Sequence, residues 1–290
     1  PVQIHLLPFL SKMITLPAKL IFAAVLFVGS AFSSTFDSLF QPSWATDHFL
    51  HEGDVLKLKL DYLSGAGFQS KSKYLYGKVS MRIKLVEGDS AGTVTAFYMA
   101  SDGANRNEFD FEFLGNTSGE PYLVQTNLYI KGVGNREERI GLWFDPTKDF
   151  HSYAIVWNRR RVVFLVDDVP VRVHTNRDNV TYPDEQPMGI YSSIWDAEEW
   201  ATQGGRVKTD WSHSPFVASY TGFQIDACEW SSSGASVGGC AITKMWWDSE
   251  LTVHQVHQLV WVRANHLVYN YCQDKSRFAV FPPECVRRHH

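Results

Sequence analysis

Apolar and polar residues alternate with a period of two through most of the chain between Val55 and Ile225. Val55-Leu-Lys-Leu-Lys-Leu60 alternates strictly, and Gly77 to Leu85 does the same. Val94–Met99, Tyr122–Ile130, Ser152–Trp157 and Val162–Val166 continue the pattern in short runs rich in β-branched and aromatic residues. Turn signals separate them: Glu87-Gly-Asp, Asp145-Pro, and Asp167-Asp-Val-Pro170. Successive strand side chains point to opposite faces, so alternation means one buried face and one wet or functional face. Many short strands at this spacing predict an antiparallel β-sandwich. Ser231–Gly239 reads as a flexible loop, and Ser249 to Asn270 reads as helical, with Leu251, His254, Val256, Leu259, Val260 and Trp261 at helical spacing. No internal repeat interrupts the chain.

One strand differs from the others. Glu108-Phe-Asp-Phe-Glu-Phe113 places Glu108, Asp110 and Glu112 on one face and Phe109, Phe111 and Phe113 on the other. The phenylalanines require a core. The acids set three like charges in a row, which costs stability unless the face is used or solvated. Three uses fit the residues alone: a solvated edge, a calcium site built from carboxylate oxygens, or a pair of carboxylates that cleaves a glycosidic bond, one protonated and one ionised. Glu108 and Glu112 lie four positions apart, roughly 13 Å between Cα atoms on a flat strand. A retaining pair needs carboxyl groups about 5–5.5 Å apart, so a twisted sheet must let the long Glu side chains lean together. Asp110 stands between them and can fix which one carries the proton.

Composition adds context. The chain has 290 residues, room for an ample core, with 10 Trp and 14% aromatic content that suit both β-cores and sugar-stacking surfaces. A formal charge of −4 without a long basic run gives no sign of nucleic-acid binding. Leu20–Gly29 is apolar, follows Lys19, and precedes the small residues Gly29, Ser30, Ala31, Ser33 and Ser34. That order is the pattern of a secretion signal, with Met13 as the candidate initiator, so residues 1–33 are expected to be upstream residues and signal. No second long apolar run follows, so the mature chain is expected to be free of the membrane. Cys228, Cys240, Cys272 and Cys285 fit an exported protein and allow three pairings, of which Cys228–Cys240 with Cys272–Cys285 closes two loops of similar size and is expected. No CxxC pair suggests a zinc site, and His254-x-x-His257 reads as an exposed helix face. Asn116-Thr-Ser and Asn179-Val-Thr are N-glycosylation patterns, with Asn116 the expected acceptor beside the acidic strand.

The acidic strand and the residues after it, Glu108-Phe-Asp-Phe-Glu-Phe-Leu-Gly-Asn116, closely resemble the catalytic motif of the xyloglucan endotransglycosylase/hydrolases, a plant cell-wall group of glycoside hydrolase family 16. Gly88–Phe97, Gln125-Thr-Asn127, Asn135-Arg-Glu137, Leu142–Thr147, Phe164–Asp168, Tyr191–Trp195, Trp200–Gly205 and Lys208–Trp211 are similar to that family in order. The tail, from Trp261-Val-Arg263 through Tyr269–Cys272 to Pro282–Cys285, is similar to its C-terminal extension. Asn107 stands where the family usually has Asp, and Phe109 where it has Ile. Asp196-Ala-Glu-Glu199 replaces the commoner Asn-Ala-Asp-Asp.

The resemblance implies an all-β jelly-roll sandwich with a concave substrate cleft at residues 34–226, and a short disulfide-tied extension containing a helix at 227–290. It implies Glu108 as nucleophile, Glu112 as acid/base and Asp110 as helper. It carries sugar contacts onto Glu112, Gln125, Thr126, Asn127, Asn135, Arg136, Glu137, Trp195, Glu199, Trp200, Gly204 and Arg277. It further implies a secreted wall enzyme, active as a monomer without metal or cofactor, with xyloglucan as donor and acceptor. The short loop Lys131-Gly-Val-Gly-Asn135 resembles the transferring members, so transfer is expected over hydrolysis. The alternatives are a predominantly hydrolytic enzyme and a wall polysaccharide-binding protein without turnover.

Overall fold

The computed structural model describes residues 35–231, 246 and 248–286. Two antiparallel sheets pack face to face. The first has eight strands in the order β1 (Phe40–Trp44), β4 (Ala66–Ser70), β13 (Gly189–Asp196), β6 (Thr93–Ala100), β7 (Glu108–Leu114), β8 (Leu123–Tyr129), β9 (Glu138–Gly141) and β15 (Leu267–Asn270). The second has seven, ordered β12 (Val169–Thr175), β11 (Arg161–Val166), β10 (His151–Trp157), β5 (Tyr74–Lys84), β14 (Phe216–Glu229), β3 (Val55–Leu60) and β2 (Phe49–Glu52). This is the expected jelly-roll sandwich. The strand expected at Val55–Leu60 has those bounds, and the acidic strand is β7, near the middle of the first sheet.

Alternation determines where the core sits. Phe109, Phe111 and Phe113 are fully buried between the sheets. Phe109 meets Trp157 edge-on at 5.4 Å, Phe111 meets Phe164 at 5.1 Å, and Phe113 meets Tyr153 at 4.6 Å. These contacts with β10 and β11 fix the register of β7, because a slip of one residue would turn every acid inward. A short helix α1 (Thr35–Leu39) lays Phe36 over Phe40 and Phe68 and closes one end of the sandwich.

The tail corrects one expectation. Its helix α2 spans Val253–Asn265 and starts at a capping box in which Thr252 and Gln255 bond each other's backbone N–H. It does not run on to Asn270. The chain leaves the helix at His266, whose carbonyl accepts from the Gly141 N–H, and Leu267–Asn270 becomes β15 on the edge of β9. An open sheet edge offers backbone partners that outweigh a weak helical pattern. Cys272–Cys285 ties the segment that follows. The expected Cys228–Cys240 bridge involves Cys240, which lies outside the described residues, as do the segment expected to be a secretion signal and most of the loop expected at 231–239. No described helix is long and apolar enough to cross a membrane.

Candidate active site

On the cleft face of the eight-stranded sheet, the register sets Glu108 between Ala100 and Tyr129, Asp110 between Tyr98 and Asn127, and Glu112 between Ala96 and Gln125. Small alanines on the β6 side leave room above the acids, and an open pocket of about 330 Å³ lies over them. Tyr98, Arg106, Asn127, Tyr129, Ser193 and Trp195 complete its lining.

The three carboxylates have different surroundings. Asp110 is only 7% exposed. Burial pushes it well above the usual carboxylate range, and the charges of Glu108 and Glu112 push the same way. Burial also raises Glu112, which Gln125 opposes by donating from Nε2 to Oε2 at 2.7 Å. Gln125 is oriented by Arg139, whose Nε donates to Oε1 at 2.8 Å. Arginine can only donate, so it selects the carbonyl end of the amide and turns the NH₂ toward Glu112. Glu108 differs again: Arg106 Nε donates to its Oε2 at 2.6 Å, with Nη2 at 3.5 Å from Oε1. One carboxyl is thus disposed to hold a proton and another faces a cation, the asymmetry that paired-carboxylate cleavage needs.

Two loops flank the acid row. On one side Trp195, the penultimate residue of β13, and Trp200 lie 6.0 Å apart on a small apolar base of Val94, Leu114, Ala197 and Ala201. This loop is pinned by Thr202, whose Oγ1 donates to the Gly115 carbonyl and accepts from the Gly92 N–H, each at 2.8 Å. Gly204 there has a φ of +70°. Glu199 is exposed and paired with Lys208 at 2.9 Å. On the other side Arg277 reaches from the tail to Glu137 Oε2 at 2.7 Å, Asn135 Oδ1 at 3.0 Å and the Tyr269 hydroxyl at 2.9 Å.

Not every expected residue faces the cleft. Thr126 lies between Gln125 and Asn127 in sequence and therefore points into the core, where its Oγ1 accepts from Arg172 at 3.1 Å. The Arg136 side chain is largely buried and pairs with Glu284 of the tail at 2.6 Å, while its backbone N–H bonds Asn127 Oδ1 at 3.1 Å. Asn107 is also buried. Its N–H is held by Ser101 Oγ at 2.8 Å and Gln186 Oε1 at 3.2 Å, and its Oδ1 accepts from the Lys131 N–H. It pins the start of β7. Asn116 sits in the turn after β7 with its Nδ2 bonded to the Pro121 carbonyl at 3.0 Å, and Asn179 is exposed.

Four cleft residues escaped the sequence reading: Arg106, Arg139, Tyr98 and Tyr129. Arg106, two residues before Glu108, was within reach of the same alternation. The others depend on cross-strand register. Tyr98 stacks on Tyr191 at 5.0 Å, and burial beside Glu108 pushes its hydroxyl up to about 12, so it is a proton donor throughout the working range.

Known proteins match this architecture. The profile of glycosyl hydrolases family 16 matches residues 36–213, and that of the xyloglucan endo-transglycosylase (XET) C-terminus matches 241–285. Xyloglucan endotransglucosylase protein 6 of Diospyros kaki is 66% identical over 274 residues, covering 90% of this chain and 92% of the relative. Xyloglucan endotransglucosylase/hydrolase protein 9 of Arabidopsis thaliana is 61% identical over 279 residues, covering 93% and 96%. Among solved structures, a prokaryotic β-1,3-1,4-glucanase (lichenase) derived from a mouse hindgut metagenome superposes with a TM-score of 0.54 at 26% identity, over 65% of this chain and 93% of that one. With the sandwich, the acid row and the strand-forming tail in place, the chain belongs to the xyloglucan endotransglucosylase/hydrolase family within glycosyl hydrolases family 16.

Proposed function

We propose that the protein is a retaining endotransglycosylase that cuts the β-1,4-glucan backbone of xyloglucan and rejoins the cut end to another xyloglucan chain. The observation that carries this reading is the unequal acid row. Glu108 faces Arg106, while Glu112 is raised by burial and fixed by Gln125. Glu108 attacks the anomeric carbon. The bond to the leaving sugar breaks, and its oxygen takes the proton of Glu112. A glycosyl ester on Glu108 results. Glu112, now a base, removes the proton from an incoming hydroxyl, whose oxygen bonds to the anomeric carbon as Glu108 departs. Asp110 is buried between the two, and burial together with their charges opposes ionisation of its own carboxyl.

Transfer must outrun reaction with water, which requires subsites that hold the acceptor at high effective molarity. Trp195 and Trp200 on one flank, and Asn135, Glu137 and Arg277 on the other, are the proposed contacts, with Gln125 and Asn127 along the floor and Gly204 giving close backbone approach. Arg136 acts by tying the loop at 131–137 to the tail. Those polar groups are already bonded to one another, so the acceptor side is preorganised and loses little freedom on binding. In this reading the protein is secreted, glycosylated at Asn116, and works as a monomer in the plant cell wall. The plant relatives named for xyloglucan support that setting.

The test is incubation with high-molecular-weight xyloglucan and a labelled xyloglucan oligosaccharide, following label, chain length and new reducing ends together. Label entering polymer with few new reducing ends supports transfer. Reducing ends that accumulate without label make the enzyme hydrolytic.

A further inference from the structure

Arg106 is the sole cation among the described residues lining the pocket above the acids. Its place is built from three directions. The Gly132 N–H donates to its carbonyl at 2.8 Å, so the loop at 131–135 holds its backbone. Gly132 has a φ of +80°, and a Cβ there would stand 2.5 Å from the Ala104 carbonyl oxygen, so the contact needs glycine. The next residue, Asn107, is clamped by Ser101 and Gln186. The guanidinium then lies over the Tyr129 ring, 5.0 Å from its centre, with its Nε on Glu108. A planar cation seated on an aromatic face and bonded at two points has little freedom left.

We propose that Arg106 is a positioning residue for the nucleophile: it orients the Glu108 carboxylate and balances its charge against Asp110 and Glu112. The inference rests on Glu108 being the nucleophile. The other groups facing Glu108 cannot do this. Tyr98 from β6 and Tyr129 from β8 are neutral at working pH, Asn127 is uncharged, and Asp110 and Glu112 are acids. When Glu108 becomes an ester its charge disappears, and Arg106 keeps only its seat on Tyr129. When the acceptor oxygen bonds to the anomeric carbon, the ester bond breaks with its electrons passing to Glu108, and Arg106 receives the carboxylate again. The guanidinium thereby favours the departure of Glu108 as an anion.

The test compares pH–rate profiles for transfer by the wild type, Arg106→Gln and Arg106→Lys, with thermal melting of each. Arg106 is 40% exposed at the side chain, so substitution leaves the core intact. Arg106→Gln is expected to lower kcat by about 10- to 100-fold, the scale of one lost charge-assisted pair, with KM for polymer nearly unchanged. The acid limb of its profile should move to higher pH, because Glu108 then faces two acids without a cation. Arg106→Lys should restore the limb but only part of kcat, since lysine returns the charge without the planar two-point bond. Superimposable limbs for wild type and Arg106→Gln, or a loss confined to KM, would overturn the proposal. Should Arg106→Gln not fold, Arg106→Lys with unchanged kcat and limb would overturn it equally. An inactive wild type, or an active Glu108→Ala, would instead strike at the nucleophile assignment itself.

Discussion

The two faces of β7 are drawn from alternate residues of one strand, yet their energetics run in opposite directions. Phe109, Phe111 and Phe113 lose all contact with water and lock onto Trp157, Phe164 and Tyr153 of the facing sheet. Each such ring stabilises the fold by about 1.5–3 kcal/mol through burial alone. Glu108, Asp110 and Glu112 repel one another, and two of them are shifted away from their ordinary range by burial. The period of two is what lets both coexist: the core face holds the acids in a register they would not choose. The lesson is that this strand separates stability from chemistry residue by residue, so substitutions on its two faces should fail in different ways.

The largest effect is expected from Glu108→Ala. Turnover of xyloglucan should fall by at least about 10⁴-fold, as for other removed nucleophiles, while polysaccharide binding and the melting temperature hold. Phe111→Ala should do the reverse. It should cost about 3–5 kcal/mol in denaturant unfolding, and the fraction that stays folded should keep its activity per active site. A Phe111→Ala protein with wild-type stability would break the comparison.

Asp110→Asn sharpens it. Asparagine keeps the shape and removes a buried charge, so the variant should melt roughly 2–4 °C higher near neutral pH, the scale of 1 kcal/mol, while transfer slows. The sign follows from linkage. A carboxyl raised in the folded state is a cost above its folded range, and that cost vanishes as falling pH protonates the wild type. The advantage of Asp110→Asn should therefore shrink as the solution is acidified.

His174, on the edge strand β12, titrates in the opposite sense. Burial and the neighbouring Arg172 push it down to about 4, and its Nε2 has no hydrogen-bond partner among the described residues. The folded protein holds it neutral, so its contribution is present above the ordinary value of 6.5 and is lost as pH falls toward about 4, by about 3 kcal/mol at most. His174→Gln should flatten the fall in stability across that range, read by urea unfolding at pH 4.5 and 7. An unchanged slope would mean that His174 does not contribute to acid sensitivity.

Much of this was legible in the chain because alternation is local. The acid row, its phenylalanine backing and most strands follow from the side-chain period alone. Thr126 shows how far alternation can be trusted over motif: it sits between two cleft residues and for that reason faces the core. What could not be read was whatever depends on partners distant in sequence. β15 is a strand because the edge of β9 receives it. Arg139 matters because register sets it beside Gln125, and Arg136 turns inward because Glu284 arrives from the tail. Arg106 shares the parity of the acid row, but its seat on Tyr129 depends on cross-strand register.

The most direct measurement is acid quenching of the enzyme during turnover of xyloglucan, followed by digestion and mass spectrometry of the peptide containing β7. The account predicts a glycan-mass adduct on Glu108 that decays when unlabelled acceptor is added before the quench. Turnover without any adduct, or an adduct on Glu112, would contradict it.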